Sequence, residues 1–169
     1  MKLRSLSLIL FTLTLMFGGC KEKDSSINPC DGLMNETPPT KIIVKFVDKE
    51  TGQNLILNND IKVSDINIIN ATTGKPFVNW GIFNEAASSP LNGTLQFSVF
   101  HETAGQYPYQ IKLAELATVT LTYTVSKTAT DSPCKPVAYP ISDIKITDHA
   151  FTQFIHEGKS YPNILVLEL

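Results

Sequence analysis

The residues best suited to acid–base or metal chemistry are the three histidines, His101, His149 and His156. His149 and His156 stand seven apart, with Asp148 and Glu157 beside them. A catalytic zinc takes three protein ligands and keeps one position for water, commonly through His-Glu-x-x-His on a helix. That spacing is missing, the segment reads as turns, and no third ligand is placed. Asp60 with Asp65, or Asp143 with Asp148, offers oxygen ligands for calcium, but acids in turns more commonly cap backbone N–H groups or face water. The sequence contains no Gly-x-Ser-x-Gly elbow, phosphate-binding glycine loop or EF-hand loop. Without an assembled base, nucleophile and charge-stabilising group, it predicts a protein that is not an enzyme and needs no cofactor or metal.

Recognition is the other chemistry on offer. Trp80, Phe83, Tyr107, Tyr109 and Tyr161 are large amphipathic or apolar rings. Exposed together, Trp80, Tyr107 and Tyr109 would form a platform on which a sugar ring could stack. The competing reading places them in the core, since a domain of this size needs aromatic bulk inside.

The elements that must position these residues read as strands. Ile42, Val44 and Phe46 open a β-rich run, and Leu95, Phe97 and Val99 alternate with Gln96 and Ser98. Val119 to Val125 places apolar residues at odd numbers and Thr120, Thr122 and Thr124 at even ones, a strand with one dry face. Further strands are expected at 55–57, 66–69, 77–83, 109–114, 141–146 and 164–169. Two turns share one design: Asp48-Lys49-Glu50-Thr51-Gly52 and Asn70-Ala71-Thr72-Thr73-Gly74 each end in Thr-Gly after a strand. Short helical turns are expected at most at 114–117 and 150–155. Seven to eight strands with regularly spaced turns predict an all-β sandwich. The pattern Asp48-x-x-Thr51-Gly52-x-x-Leu55 resembles the opening hairpin of carboxypeptidase-regulatory-like and prealbumin-like domains. That resemblance implies an Ig-like or prealbumin-like sandwich.

The N-terminus is organised differently. Lys2 and Arg4 precede an apolar run from Leu6 to Phe17, followed at once by Gly18-Gly19-Cys20 and the charged Lys21-Glu22-Lys23-Asp24. A membrane span needs about 20 consecutive apolar residues, more than this run provides. The segment resembles bacterial lipoprotein signal peptides. The resemblance implies removal of residues 1–19, lipid on Cys20 and residence at the outer membrane. The charges after Cys20 resemble the export tetrads of Bacteroidota surface lipoproteins, which leaves the periplasmic and cell-surface faces both open. Residues 20–40, with Ser25-Ser26, Asn28-Pro29 and Pro38-Pro39, read as a tether. Residues 41–169 form the domain. With Cys20 lipidated, Cys30 and Cys134 remain as a disulfide pair outside the cytoplasm. The whole layout is similar to small uncharacterised Bacteroidota lipoproteins.

Cleavage takes the basic count from 14 to 12 against 16 acids, a net charge of −4, and removes Arg4, the only arginine. Nucleic acid is therefore not an expected partner, since phosphate recognition leans on arginine and positive charge. The expectation is a lipid-anchored envelope sandwich acting as a non-catalytic binding or adhesion module for glycan or protein. The alternatives are a structural accessory subunit of an outer-membrane assembly and a small metal-dependent enzyme using the His149/His156 region.

Overall fold

The computed structural model describes residues 30–32 and 38–169. The expected signal segment 1–19, Cys20 and most of the expected tether 20–40 lie outside the described residues. Contacts divide the chain into a short N-terminal unit, of which residues 30–32 are described and form a turn, and a unit from Asn35 to Leu169.

The second unit is all-β. Its strands are β1 (Thr40–Val47), β2 (Ile66–Asn70), β3 (Trp80–Phe83), β4 (Thr94–Val99), β5 (Gly105–Leu113), β6 (Ala117–Val125), β7 (Thr128–Ala129), β8 (Val137–Ala138), β9 (Ile141–Ile146), β10 (Phe151–His156) and β11 (Lys159–Glu168). One sheet has the order β10-β11-β1-β4-β3 and the other β2-β5-β6-β9, while β7 and β8 form a two-residue ladder. In the first sheet β1 is central, antiparallel to β4 and parallel to β11. The two sheets share one core. Ile42, Val44, Phe46, Leu95, Phe97, Leu165 and Leu167 of the first pack with Ile68, Ile111, Leu113, Leu121 and Tyr123 of the second. The odd residues of β6 from Val119 to Val125 are all buried, as period-2 alternation requires.

The repeated Thr-Gly turn is the same loop at the level of hydrogen bonds. Asp48 Oδ1 accepts from the N–H of Glu50 and Thr51, and Asn70 Oδ1 accepts from those of Thr72 and Thr73. Gly52 and Gly74 then donate to the carbonyls of Asp48 and Asn70, both at 2.8 Å. Both glycines sit at positive φ, 68° and 69°, where a side chain would be strained.

Three expectations are corrected. The strand expected at 55–57 is a helix, α1 (Leu55–Asn58). Asn54 Oδ1 accepts from the N–H of Ile56 and Leu57, and Asn54 Nδ2 donates to the carbonyls of Asn92 and Gly93, so the cap turns the chain inward and buries Leu55 and Ile56. The strand expected from Phe77 starts only at Trp80. Phe77 donates its N–H to the Ile68 carbonyl instead, and its ring lies 4.9 Å from that of Tyr109. The helical turn expected within 150–155 is strand β10. A register shift between Gln153 and Phe154 breaks its period, so Phe151 and Phe154, three apart, are both half-buried.

Strand directions sort the connections to two ends. The chain joins at Thr40, and at that end lie the connections 71–79, 100–104 and 126–140 and the β10–β11 turn. At the far end lie 48–65 with α1, 84–93, 114–116 and 147–150.

Candidate functional site

The site is built where β4 ends. The odd-numbered apolar rhythm of that strand buries Leu95, Phe97 and Val99, after which the chain turns out and leaves Phe100 57% exposed. His101 turns back. Its Nε2 lies 2.7 Å from the Tyr123 hydroxyl, and its ring centroid lies 3.7 Å from that of Tyr107. Tyr107 and Tyr123 are direct cross-strand partners on β5 and β6, stacked at 5.7 Å. The Tyr107 hydroxyl donates to the Thr103 carbonyl at 2.9 Å and also lies 2.7 Å from the Thr103 hydroxyl. Two tyrosines rooted in the second sheet thus fix the 101–103 segment.

This segment forms one wall of a groove of about 590 Å³. Pro38 and Thr40, where the chain joins, lie beside it. The opposite wall is the 135–141 segment, with Lys135, Tyr139 and Pro140 facing the groove. That wall is braced in turn. The β7–β8 ladder closes it, Thr130 N–H donates to the Pro136 carbonyl at 3.0 Å, and Ser126 N–H donates to the Pro140 carbonyl at 3.1 Å. Cys134 lies next to Lys135, and both Cys30 and Cys134 are disulfide-bonded.

The electrostatics of the cluster are quiet. Burial pulls the His101 imidazole below its ordinary value, which keeps it neutral near pH 7. Burial pushes the Tyr123 phenol far up, and the neighbouring phenols of Tyr109 and Tyr107 add to that rise. A neutral imidazole on a protonated phenol braces this wall without placing a net charge there. Phe100, Tyr139, Glu102 and Lys135 line the groove with apolar surface and one charge of each sign.

The other sequence-predicted residues are dispersed. Tyr109 is only 5% exposed and packs against Phe77 and Tyr123. Trp80 sits on β3 in the first sheet, half-buried against the core, whereas Tyr107 is on β5 in the second. The structure does not bring Trp80, Tyr107 and Tyr109 into one exposed platform, because a buried ring has no face to offer. His149 precedes β10 and His156 is its last residue. The five residue steps from Phe151 to His156 span about 16 Å in extended chain. His149 Nδ1 pairs with Asp148 Oδ1 at 3.0 Å, while His156 Nε2 lies 4.0 Å from Glu157 Oε1. Among the described residues no group of three or more His, Cys, Asp or Glu side chains could hold a metal ion. The candidate calcium acids act locally: Asp65 accepts from the Lys62 N–H, and Asp148 accepts from the Thr120 N–H, both at 2.9 Å. Burial alone would raise the Asp148 carboxyl, but hydrogen bonds from Thr120 N–H and His149 outweigh it and hold the group below its ordinary value.

Sequence reasoning missed Phe100, Glu102, Lys135 and Tyr139 as neighbours. One signal was present: Phe100 falls out of the odd-numbered rhythm of β4, which places an aromatic ring outside the core.

Compared with protein-family models, curated proteins and solved structures, the chain matches none.

Proposed function

We propose that this chain is a lipid-anchored cell-envelope protein whose β-sandwich binds a glycan or a protein segment without catalysing a reaction. The observation that carries the reading is the groove between Phe100 and Tyr139, with both walls braced by hydrogen bonds and a neutral His101–Tyr123 pair behind them. A preformed, partly apolar groove with a few polar heads is the usual form of a small binding site. Its balanced charge, Glu102 against Lys135, suits an uncharged ligand such as a neutral glycan better than a polyanion. The acidic balance and the loss of Arg4 on cleavage leave nucleic acid outside the proposal.

The anchor and location rest on the N-terminal sequence: Gly18-Gly19-Cys20 after the apolar run favours lipid on Cys20 and the outer membrane, as in small Bacteroidota-type lipoproteins. An Ig-like or prealbumin-like class is the finer fold assignment we favour, on the strength of the Asp48–Leu55 pattern and a first strand paired with the last.

The test is a glycan panel probed with the full chain. Phe100→Ala and Tyr139→Ala should each weaken any specific signal about tenfold, while Trp80→Ala should leave it unchanged. Binding that survives both groove substitutions would place the site elsewhere.

A further inference from the structure

Three of the chain's exposed apolar side chains stand out: Val78 at 78%, Ile155 at 66% and Phe100 at 57%. All three lie at the end of the sandwich where the chain joins. Val78 is in the 71–79 connection. The Ser98 N–H donates to the Asn79 carbonyl at 2.8 Å, which sets residue 78 beside Val99 and Phe100. Ile155 is on β10, three strand positions from β4 in the sheet order, or about 14 Å at ordinary strand spacing. Beside it the rings of Phe154, His156 and Tyr161 pack together, with the Lys159 ammonium 5.4 Å from the Tyr161 centroid. This end therefore presents a row of separate apolar tips with aromatic and lysine neighbours.

Charge separates the two ends. Residues 38–41, 71–79, 100–104, 126–140 and 157–159 hold five lysines and three acids. The far-end residues 48–65, 84–93, 114–116 and 147–150 hold two lysines and seven acids. The far end also exposes Leu57, Val63 and Leu116, at 48%, 53% and 51%, but among acids that an anionic surface repels.

We infer that the end bearing Val78, Phe100 and Ile155 rests on the lipid bilayer that holds the anchor, an inference that depends on lipidation at Cys20 as proposed above. Apolar and aromatic tips enter the headgroup region while lysines meet anionic lipid, the arrangement that interfacial attachment favours. Connectivity supplies the occupant. The anchored segment joins the domain at this end through Pro38–Thr40, and Cys134 lies in one of its connections. The 18 residues from Cys20 to Pro38 reach at most about 65 Å, which bounds how far the lipid can stand from this end. The groove then opens at the membrane surface, where a ligand carried by that membrane would reach it.

Trp80, the only tryptophan, is two residues from Val78 and reports on this end directly. The lipidated full chain is reconstituted into vesicles of phosphatidylethanolamine and phosphatidylglycerol, with plain or brominated acyl chains. Docking predicts that bromine lowers Trp80 emission at least twofold. The triple variant Val78→Glu, Phe100→Glu, Ile155→Glu should restore the emission with circular dichroism unchanged. A chain that floats with the vesicles but keeps full emission retains its anchor and overturns the docking. Quenching that the triple variant leaves intact also overturns it. Dimers that dissociate in the triple variant while emission stays unquenched would assign these side chains to a second copy. A wild-type chain that fails to float would overturn the anchor and the inference together.

Discussion

The hydroxyl of Tyr123 lies 2.7 Å from Nε2 of His101, linking a fully buried residue of β6 to the loop that walls the groove. A phenol inside an apolar core requires a hydrogen-bond partner, and here the partner comes from a connection rather than a strand. The bond therefore fixes loop position through core packing. Tyr123→Phe should cost about 1 kcal/mol in urea unfolding. A double-mutant cycle with His101→Ala should return a coupling of about 1 kcal/mol, whereas additive effects would show that the two residues act independently.

The same histidine makes stability depend on pH. In the unfolded chain its imidazole titrates near the ordinary 6.5, and in the fold it titrates lower. As pH falls below 6.5 the unfolded state takes up the proton first, so the contribution is complete above that value and is lost as pH falls through the folded value. Urea midpoints should drop between pH 7.5 and 5.5, and His101→Gln should flatten that slope.

Asp148 acts in a separate, more acidic window. Its folded value is depressed below 3.8, so its stabilisation is present above 3.8 and is lost as pH falls through the folded value. Asp148→Ala should cost about 1 kcal/mol by freeing the Thr120 N–H. Asp148→Asn, which can still accept that bond, should recover much of the loss while removing the acid dependence.

Asn54 and Gly93 hold α1 in place from two sides. Asn54→Ala should destabilise by about 1–2 kcal/mol, since it removes both the cap and the bonds to the 92 and 93 carbonyls. Gly93 has φ 68°, and a Cβ there would overlap the Leu57 side chain. Gly93→Ala should therefore cost at least about 1 kcal/mol in chemical unfolding, against near neutrality for an ordinary exposed loop substitution.

The proposed anchor and the disulfide can each be checked on the full chain. Cys20→Ser should move the chain from the membrane fraction to the soluble one. A Cys30–Cys134 bridge closes a loop of about 100 residues and contributes roughly 4–5 kcal/mol in the chain-entropy model. Reduction should accordingly lower the thermal midpoint, and non-reducing peptide mapping should recover the two linked peptides.

Much of the sandwich was legible because β4 and β6 each have one dry face, which writes period 2 into the sequence. The edge strand β10 was not legible, since its register shift spaces Phe151 and Phe154 as a helix would. Leu55 to Leu57 misled for a different reason: three apolar residues carry no period, and Asn54 decides their conformation through carbonyls about forty residues away. The groove was illegible as a whole. Phe100 and Tyr139 line one groove only because β4 ends and β9 begins at the same end of the sandwich, a relationship that no local pattern records. The histidines drew attention by residue type, yet the one packed against the core tyrosines, His101, stands far from the other two in sequence, and Glu102 beside it lines the groove.

The parallel pairing of β1 with β11 has a consequence for how the molecule comes into being. β1 leaves any ribosome or translocation channel well before β11, the partner that covers its other edge. Leu165 and Leu167, both fully buried, pair with Val44 and Phe46, far earlier in the sequence. Closure of this pair therefore waits until β11 has been made, and contacts between such distant parts of a sequence form slowly. A sheet built this way stays open while the strands between are threaded and locks only once β11 is free.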